Sequence, residues 1–581
     1  MTQRKPPSRP KKPAKTNRHA GPDGQAKKKS RPGANGTPQD GTSPMPAPGG
    51  RMKPPAHGVK VRMYRTGLGD CFLLAFPRSG TGDASRDAFY MLVDCGVYKG
   101  TPEPYNATRI AEIVANIRDA TGGHLDLLVI THEHWDHVSA FHPSQSQAIF
   151  ERDIALDTLW MAWTENLNLP LAQQLHAGRR AARAALAVAL DQMQGLGAVG
   201  ETGKLIRKVL DFFGAPVKND RASGRNAPAS SGAFGATVFG ATSFQTEQAM
   251  TWIRDQYGKG KTKFLHPGDG PLTFEGVPDA RVYILGPPED PVLIKRYNPS
   301  ASGAEVYPRA MAAASEASFF AAFGVVPSPL DASPDPDAVA EAQQMSLPFD
   351  ESHRVEIEDA RKDAFFGKHY YGEEKTAGWR AIEGDWLETA GEFALQLDSA
   401  TNNTSLAFAL EIGPPGEGKV LLFPGDAQVG NWQSWFGKVQ VGKRQVGKDM
   451  VWKVGSKSVT AEDLLRHTVL YKVGHHGSHN ATLRAQGLEL MGRPDGTAEL
   501  AALLPVDEHV ARDLAHYGEM PLLSLMKELA IRTGGRIARN DEGASPEGKE
   551  STLNPIRGAP TIRSDFVDAK NDLYFEYSVV P

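Results

Sequence analysis

From Val59 onward the chain is built of short apolar runs broken by polar turns. Val61 to Arg65 alternates, Gly67-Leu68-Gly69-Asp70 turns, and Cys71 to Phe76 and Phe89 to Val93 flank a polar loop, Arg78 to Arg86. Two strand-length runs around such a loop predict a β-hairpin. Thr108 to Ala120 spaces Ile110, Ile113, Val114 and Ile117 as one face of a helix,. Further runs of buried-strand length are Leu127 to Ile130, Ala155 to Trp163, Val282 to Leu285, Val420 to Phe423 and Val469 to Val473. Leu169 to Gly195 reads as a helix with a packed Leu/Val face, and Leu522 to Ala530 as another.

Three of these runs end in chemistry. Leu127 to Ile130 stops at Thr131 and delivers His132, His134, Asp136 and His137 within six residues. Val420 to Phe423 leads through Pro424 and Gly425 to Asp426, and Val469 to Val473 leads through Gly474 to His475 and His476. Imidazole and carboxylate are the usual ligands of zinc and related divalent ions, and ligands at strand ends converge without a long loop. Burying three histidines and an aspartate unpaired would cost several kcal/mol, so a purely structural role is a poor explanation of the first cluster.

The sequence THEHWDH, residues 131–137, resembles the metal-binding motif of the metallo-β-lactamase superfamily. TGLGDCFLLAF followed by FYMLVDCG, the Leu285-Gly286-Pro287-Pro288 turn and KVGHHGSH, residues 472–479, resemble one branch of it, the ComEC-type hydrolases. The resemblance covers most of residues 59–540. It is interrupted by an insertion at about 289–383, within which Ala310 to Phe323 reads as a helix. The YGHP of that branch stands here as Tyr517-Gly518-Glu519-Met520-Pro521, following His516, and lacks the imidazole.

The resemblance implies an α/β fold (α+β by some schemes), an αββα sandwich with a mono- or dinuclear site at one edge. It assigns His132 and His134 to metal one and Asp136, His137 and one of His475 and His476 to metal two. Asp426 would bridge, one oxygen to each metal, and Asp94 would support the site by hydrogen bonding without touching an ion. Many members add a third histidine to metal one. His142, His176, His266, His353 and His369 are positioned for it, with His266 nearest to a strand end, and the expectation is that none serves.

The implied cofactor is a pair of divalent ions, zinc or alternatively manganese, holding a bridging hydroxide. The candidate catalytic residues are His475, His476 and Asp136, with the histidine not bound to metal facing substrate as a proton or hydrogen-bond donor. The implied activity is metal-dependent hydrolysis, as a phosphodiesterase acting on nucleic acid rather than a β-lactamase. Alternatives are hydrolysis of a small-molecule or phospholipid-type ester, and a non-catalytic interaction module that retains a metal.

Composition refines this in two places. Two cysteines among 581 residues exclude a disulfide framework; Cys71 and Cys95 fall near each other if their runs form a hairpin, and reduced thiols are expected,. The net charge of −3 conceals an asymmetry, because residues 1–58 hold thirteen Lys/Arg against two Asp. That segment is rich in Pro, Gly, Ser and Ala, which predicts a disordered basic arm before a domain at 59–581. The arm could bind nucleic acid through counterion release or act only as a solubilising tail. No run reaches the ~18 apolar residues of a spanning helix, and no apolar segment follows the N-terminal basic residues. The expected location is cytoplasmic.

Overall fold

The computed structural model describes residues 50–80, 86–101, 106–195, 200–215, 244–300, 304–306, 355, 357–370, 388–437, 439–441, 444–514, 519–541 and 556–581. Residues 1–49 of the basic arm, the expected helix Ala310 to Phe323, His353 and His516 to Gly518 lie outside them. Packing begins before Val59. Met52 is buried, its amide donates to Ala120 O at 2.8 Å and its carbonyl accepts from the Tyr90 hydroxyl at 2.8 Å.

The chain forms an α/β structure around two large mixed sheets. The first has eight strands, in the order Asp568–Asn571, Tyr574–Val579, Val59–Tyr64, Phe72–Pro77, Ala88–Val93, His124–Ile130, Ala155–Ala162 and Thr262–Leu265. Its last four strands run parallel and the others pair antiparallel. The expected hairpin is present, with Phe72 opposite Val93 and Phe76 opposite Phe89. Beyond the stretch that the sequence reading assigned, Tyr574–Val579 returns to pair Val579 with Val59.

The second sheet has seven strands, in the order Ile537–Arg539, Ala501–Leu504, Thr468–Lys472, Lys419–Phe423, Ala407–Ile412, Val277–Gly286 and Leu272–Phe274. The first four are parallel.

The inner faces of the two sheets share one core. Phe72, Leu74, Val93 and Val129 from the first meet Ile284, Phe408, Leu421, Phe423 and Leu503 from the second. Phe423 stacks on Phe408 at 5.2 Å and meets the edge of Phe72 at 5.8 Å. Each such ring removed from water contributes about 1.5–3 kcal/mol. On the outer face of the first sheet, Ile110, Ile113, Val114 and Ile117 of the helix Ala107–Thr121 pack on Leu73, Leu92 and Leu128. This is the apolar stripe predicted from their spacing. On the outer face of the second, Leu464 and Leu465 of Ala461–Arg466 and Leu525, Met526 and Leu529 of Leu523–Thr533 join Tyr471 and Leu504.

Three further helices, Pro170–Gly195, Gly200–Phe212 and Glu388–Asn402, close their own core through Leu186, Ala189, Ile206, Val209, Phe393 and Leu397. They matter for what lies at the strand ends.

Parallel strands align their carboxyl ends, so Asp94, Thr131, Asp426 and His475 all leave the sheets at one edge, the usual position for a site in an open α/β structure. Close approach there demands glycine. A Cβ on Gly96 would sit 2.2 Å from the carbonyl carbon of Asp136. Gly96→Ala is therefore expected to cost about 3 kcal/mol or more, measurable by urea unfolding, because two backbones must separate.

Candidate metal centre

The motif bends sharply after its strand. His124–Ile130 ends at Thr131, and Trp135–Val138 is a single helical turn that brings Asp136 and His137 back under the strand end. His132, His134, Asp136, His137, Asp426 and His476 are each at most 1% exposed, and His475 is 6% exposed. Such burial of so many polar groups requires partners or ions.

Four ligand atoms from three strand ends converge. His476 Nε2 lies 2.9 Å from Asp136 Oδ2 and 3.9 Å from Asp426 Oδ2. His137 Nε2 lies 3.1 Å from Asp426 Oδ2 and 3.9 Å from Asp136 Oδ2. A tetrahedral ion with bonds of about 2.0–2.2 Å has ligand–ligand edges of about 3.3–3.6 Å, within the spread of these contacts. Asp136 Oδ1 is buried without a partner. Next to this group, His132 Nε2 and His134 Nδ1 face each other at 3.1 Å, and the His132 and His137 rings are 4.2 Å apart. The donors therefore fit one four-coordinate divalent ion and the beginning of a second.

The far nitrogens of these rings fix which nitrogen points inward. His137 Nδ1 donates to Asp94 Oδ2 at 2.9 Å, and His476 Nδ1 donates to the Pro505 carbonyl at 2.9 Å. The Thr131 hydroxyl donates to Asp94 Oδ2 at 2.7 Å and so can accept from His132 Nδ1 at 3.1 Å. In all three rings the acceptor at Nδ1 turns Nε2 inward, the arrangement that raises ligand basicity when an ion is bound,. Asp94 stands behind His137 and Thr131 and holds a left-handed backbone (φ 52°) to do so. His475 (φ 42°) and His476 (φ 51°) share that costly conformation, of order 1–3 kcal/mol each,.

That pair of left-handed residues turns the two histidines apart. His476 points to Asp136, while His475 Nδ1 meets Ser478 Oγ at 2.7 Å and its Nε2 meets Asn402 Nδ2 at 3.2 Å. Of the two histidines left open by the sequence, His476 joins the ligand group and His475 does not.

Asp426 turns its two oxygens to different partners. Its Oδ1 accepts from Lys472 Nζ at 3.1 Å and from the His475 amide at 3.0 Å, which leaves Oδ2 as the oxygen facing the histidines.

Lys472 and Asp70 are site residues that the sequence reading passed over. The Lys472 ammonium lies between Asp426 and Asp70, in close contact with the latter, and both carboxylates and the lysine are nearly inaccessible to solvent. Burial alone would discharge the lysine, but Asp70 and Asp426 carry its pKa well upward. Burial would likewise raise Asp426, yet Lys472 and His137 hold it well below the usual carboxylate range. Burial pushes His475 down to about 3, so its ring is neutral. His134 is pushed down to about 4 for the same reason.

Glu133, inside the motif, faces away from the ligands. It accepts from Arg183 at 2.6 Å and from Thr246 at 3.2 Å, tying the helix Pro170–Gly195 to the motif. Phe212 and Phe213 pack on the His134 ring at 5.4 and 4.9 Å. The three-helix layer thus lies directly on the centre.

Of the candidates for a third histidine, His266 is 38% exposed at its side chain and paired to Glu289. His142 bonds Ser144 and Gln248, and His176 bonds the Thr164 carbonyl and lies 3.2 Å from Glu165 Oε2. His369 contacts Phe365 in the short helix Ala364–His369. Among the described residues none joins the ligand atoms. His266→Ala is expected to leave the bound metal of the purified protein unchanged by elemental analysis, and loss of an ion would place His266 in the centre.

Cys71 and Cys95 are free and buried. Among the described residues no helix is long and apolar enough to cross a membrane. Scanned against models of known protein families, the chain matches none, and no curated protein is significantly similar to it.

Proposed function

We propose that the protein is a cytoplasmic metal-dependent hydrolase of the metallo-β-lactamase fold, acting on a phosphodiester. The layering of helix, sheet, sheet and helix, with the centre at the strand-end edge, is consistent with that fold. The observation that carries the reading is the convergence of Asp136, His137, Asp426 and His476, each histidine oriented by an acceptor at its far nitrogen. A site kept only for structure is normally closed by protein ligands, whereas the His132–His134 pair leaves positions on its ion for water and substrate,.

When bound, a pair of divalent ions would supply an activated water and polarise the oxygens of the electrophile. His132, His134, Asp136, His137, Asp426 and His476 would hold them. The chain's own contribution is orientation and charge. Lys472 keeps Asp426 ionised and turned, and Asp94 and Pro505 keep two rings in the ligating tautomer. His475, a neutral imidazole with both ring nitrogens engaged by protein groups, is poorly suited to delivering a proton and would meet a substrate oxygen only by exchanging one of those partners,.

A second reading, hydrolysis of a small-molecule or phospholipid-type ester, is favoured by one observation. The centre lies buried beneath the three-helix layer, which a compact substrate passes more readily than a duplex. A zinc- or manganese-loaded protein offered bis-p-nitrophenyl phosphate, single- and double-stranded DNA, RNA and nitrocefin separates these readings. Turnover of the phosphodiesters is expected. Turnover of nitrocefin alone would overturn the proposal, and metal binding without any turnover would leave an interaction module. Deleting residues 1–49, which leaves the packed Met52 in place, tests the basic arm: a nucleic-acid-binding arm carries a salt dependence that its deletion flattens,.

A further inference from the structure

Three of the four ring ligands from the two motifs have an acceptor at the nitrogen turned away from the centre. His134 is the fourth. Its Nδ1 faces His132 Nε2, so Nε2 is the far nitrogen, and Nε2 is buried without a hydrogen-bond partner. The carboxylate nearest to it is Asp398, whose Oδ1 lies 3.9 Å away and is likewise buried without a partner. Two unsatisfied polar atoms facing each other, on residues 1% and 8% exposed, are costly unless they pair,. The gap is just beyond hydrogen-bonding distance, and a small rotation of the carboxylate closes it.

Asp398 comes from the last turn but one of Glu388–Asn402, and Asn402, four residues on, occupies the same helical face,. The Asn402 amide donates to Asp398 Oδ2 at 3.4 Å and contacts His475 Nε2 at 3.2 Å. One face of this helix thus reaches both the outward nitrogen of His134 and the imidazole that stands outside the ligand group. Both nitrogens of the His475 ring are thereby engaged, Nε2 by Asn402 and Nδ1 by Ser478 Oγ and Gln428 Nε2.

We propose that Asp398 is the positioning residue of His134: its carboxylate accepts the Nε2 proton, so that Nδ1 is the metal-binding nitrogen, and Asn402 holds that carboxylate in place. The inference rests on the metal-centre reading above and adds to it a residue outside both histidine motifs. It supplies His134 with what Asp94 gives His137 and Pro505 gives His476. Loss of such an orienting partner typically weakens metal affinity 10–100-fold.

The test compares the full-length protein with Asp398→Asn, which is isosteric and keeps one acceptor oxygen, and Asp398→Ala, which keeps none. Zinc affinity at each site is measured by competition with a chromophoric chelator, and the melting temperature of the metal-free proteins is recorded alongside. The expected result is two zinc sites in the parent, one of them weakened about 10–100-fold in Asp398→Ala and less in Asp398→Asn, with the other site unchanged. Wild-type affinities at both sites in both variants would overturn the role of Asp398 while leaving the metal centre standing. Equal weakening of both sites, in step with a lowered metal-free melting temperature, would mark Asp398 as structural and overturn it as well. A parent protein that binds no zinc would overturn the metal-centre reading and this inference together.

Discussion

Asp426→Asn is expected to reduce bound zinc from about two ions per chain to one or none and to slow hydrolysis of bis-p-nitrophenyl phosphate by about a thousandfold or more. A thousandfold corresponds to about 4 kcal/mol of barrier, reasonable for removing one of the two carboxylates that face the ligating histidines,. The amide keeps the shape of the side chain and can still accept from the His475 N–H, so the fold is largely retained. What it loses is the negative oxygen 3.1 Å from His137 Nε2. Elemental analysis and initial rates on the same preparation check the two effects together. Unchanged metal content would remove Asp426 from the centre.

Lys472→Met is expected to have the largest effect on stability. It leaves the Asp70 and Asp426 carboxylates, 2% and 1% exposed, without their shared cation. Breaking a buried ion pair from one side costs about 3–5 kcal/mol, which urea unfolding of the metal-free protein measures directly. Added zinc is expected to recover part of the loss, since bound ions stabilise the folded state and bring positive charge to the same carboxylates.

The direction of the pH dependence follows. Lys472 titrates above its ordinary 10.5 when folded, so its contribution is complete at neutral pH and disappears only as pH rises through the strongly alkaline range,. Asp426 titrates below its ordinary 3.8, so its contribution is lost only as pH falls through that lowered value,. A Lys472→Met protein of parental stability would leave the triad without energetic weight.

The residues that the sequence made legible are those delivered by strand ends. An apolar run stopping at Thr131 announced His132 to His137, and the same logic found Asp426 and the His475–His476 pair. Periodicity was enough for Ile110, Ile113, Val114 and Ile117 to predict a buried helical face, and that face is where it was expected. The choice between adjacent histidines was not legible, because it depends on two left-handed backbone positions rather than on residue type.

Asp70 was read only as the end of a turn, although it meets Lys472 some 400 residues later. The one signal available was a lysine inside the apolar run Val469 to Val473, where a charge is tolerated only if something pairs with it. Asp398 carried no signal: nothing in a helix of ordinary composition tells that one carboxylate of its face meets a histidine from another motif. Tyr574–Val579 was unassigned because its pairing partner, Val59–Tyr64, stands at the other end of the described chain.

The helical layer over the centre has a kinetic consequence. With Phe212 and Phe213 against His134 and Arg183 clasping Glu133, these helices cover one side of ligands that are each at most 1% exposed. If release of a bound ion requires this layer to open, its rate would be limited by that opening. Inactivation by excess chelator should then reach a rate independent of chelator concentration, and Arg183→Ala should raise that plateau. The residence time of a bound metal would then depend on a contact between an arginine and a glutamate that touch no ion.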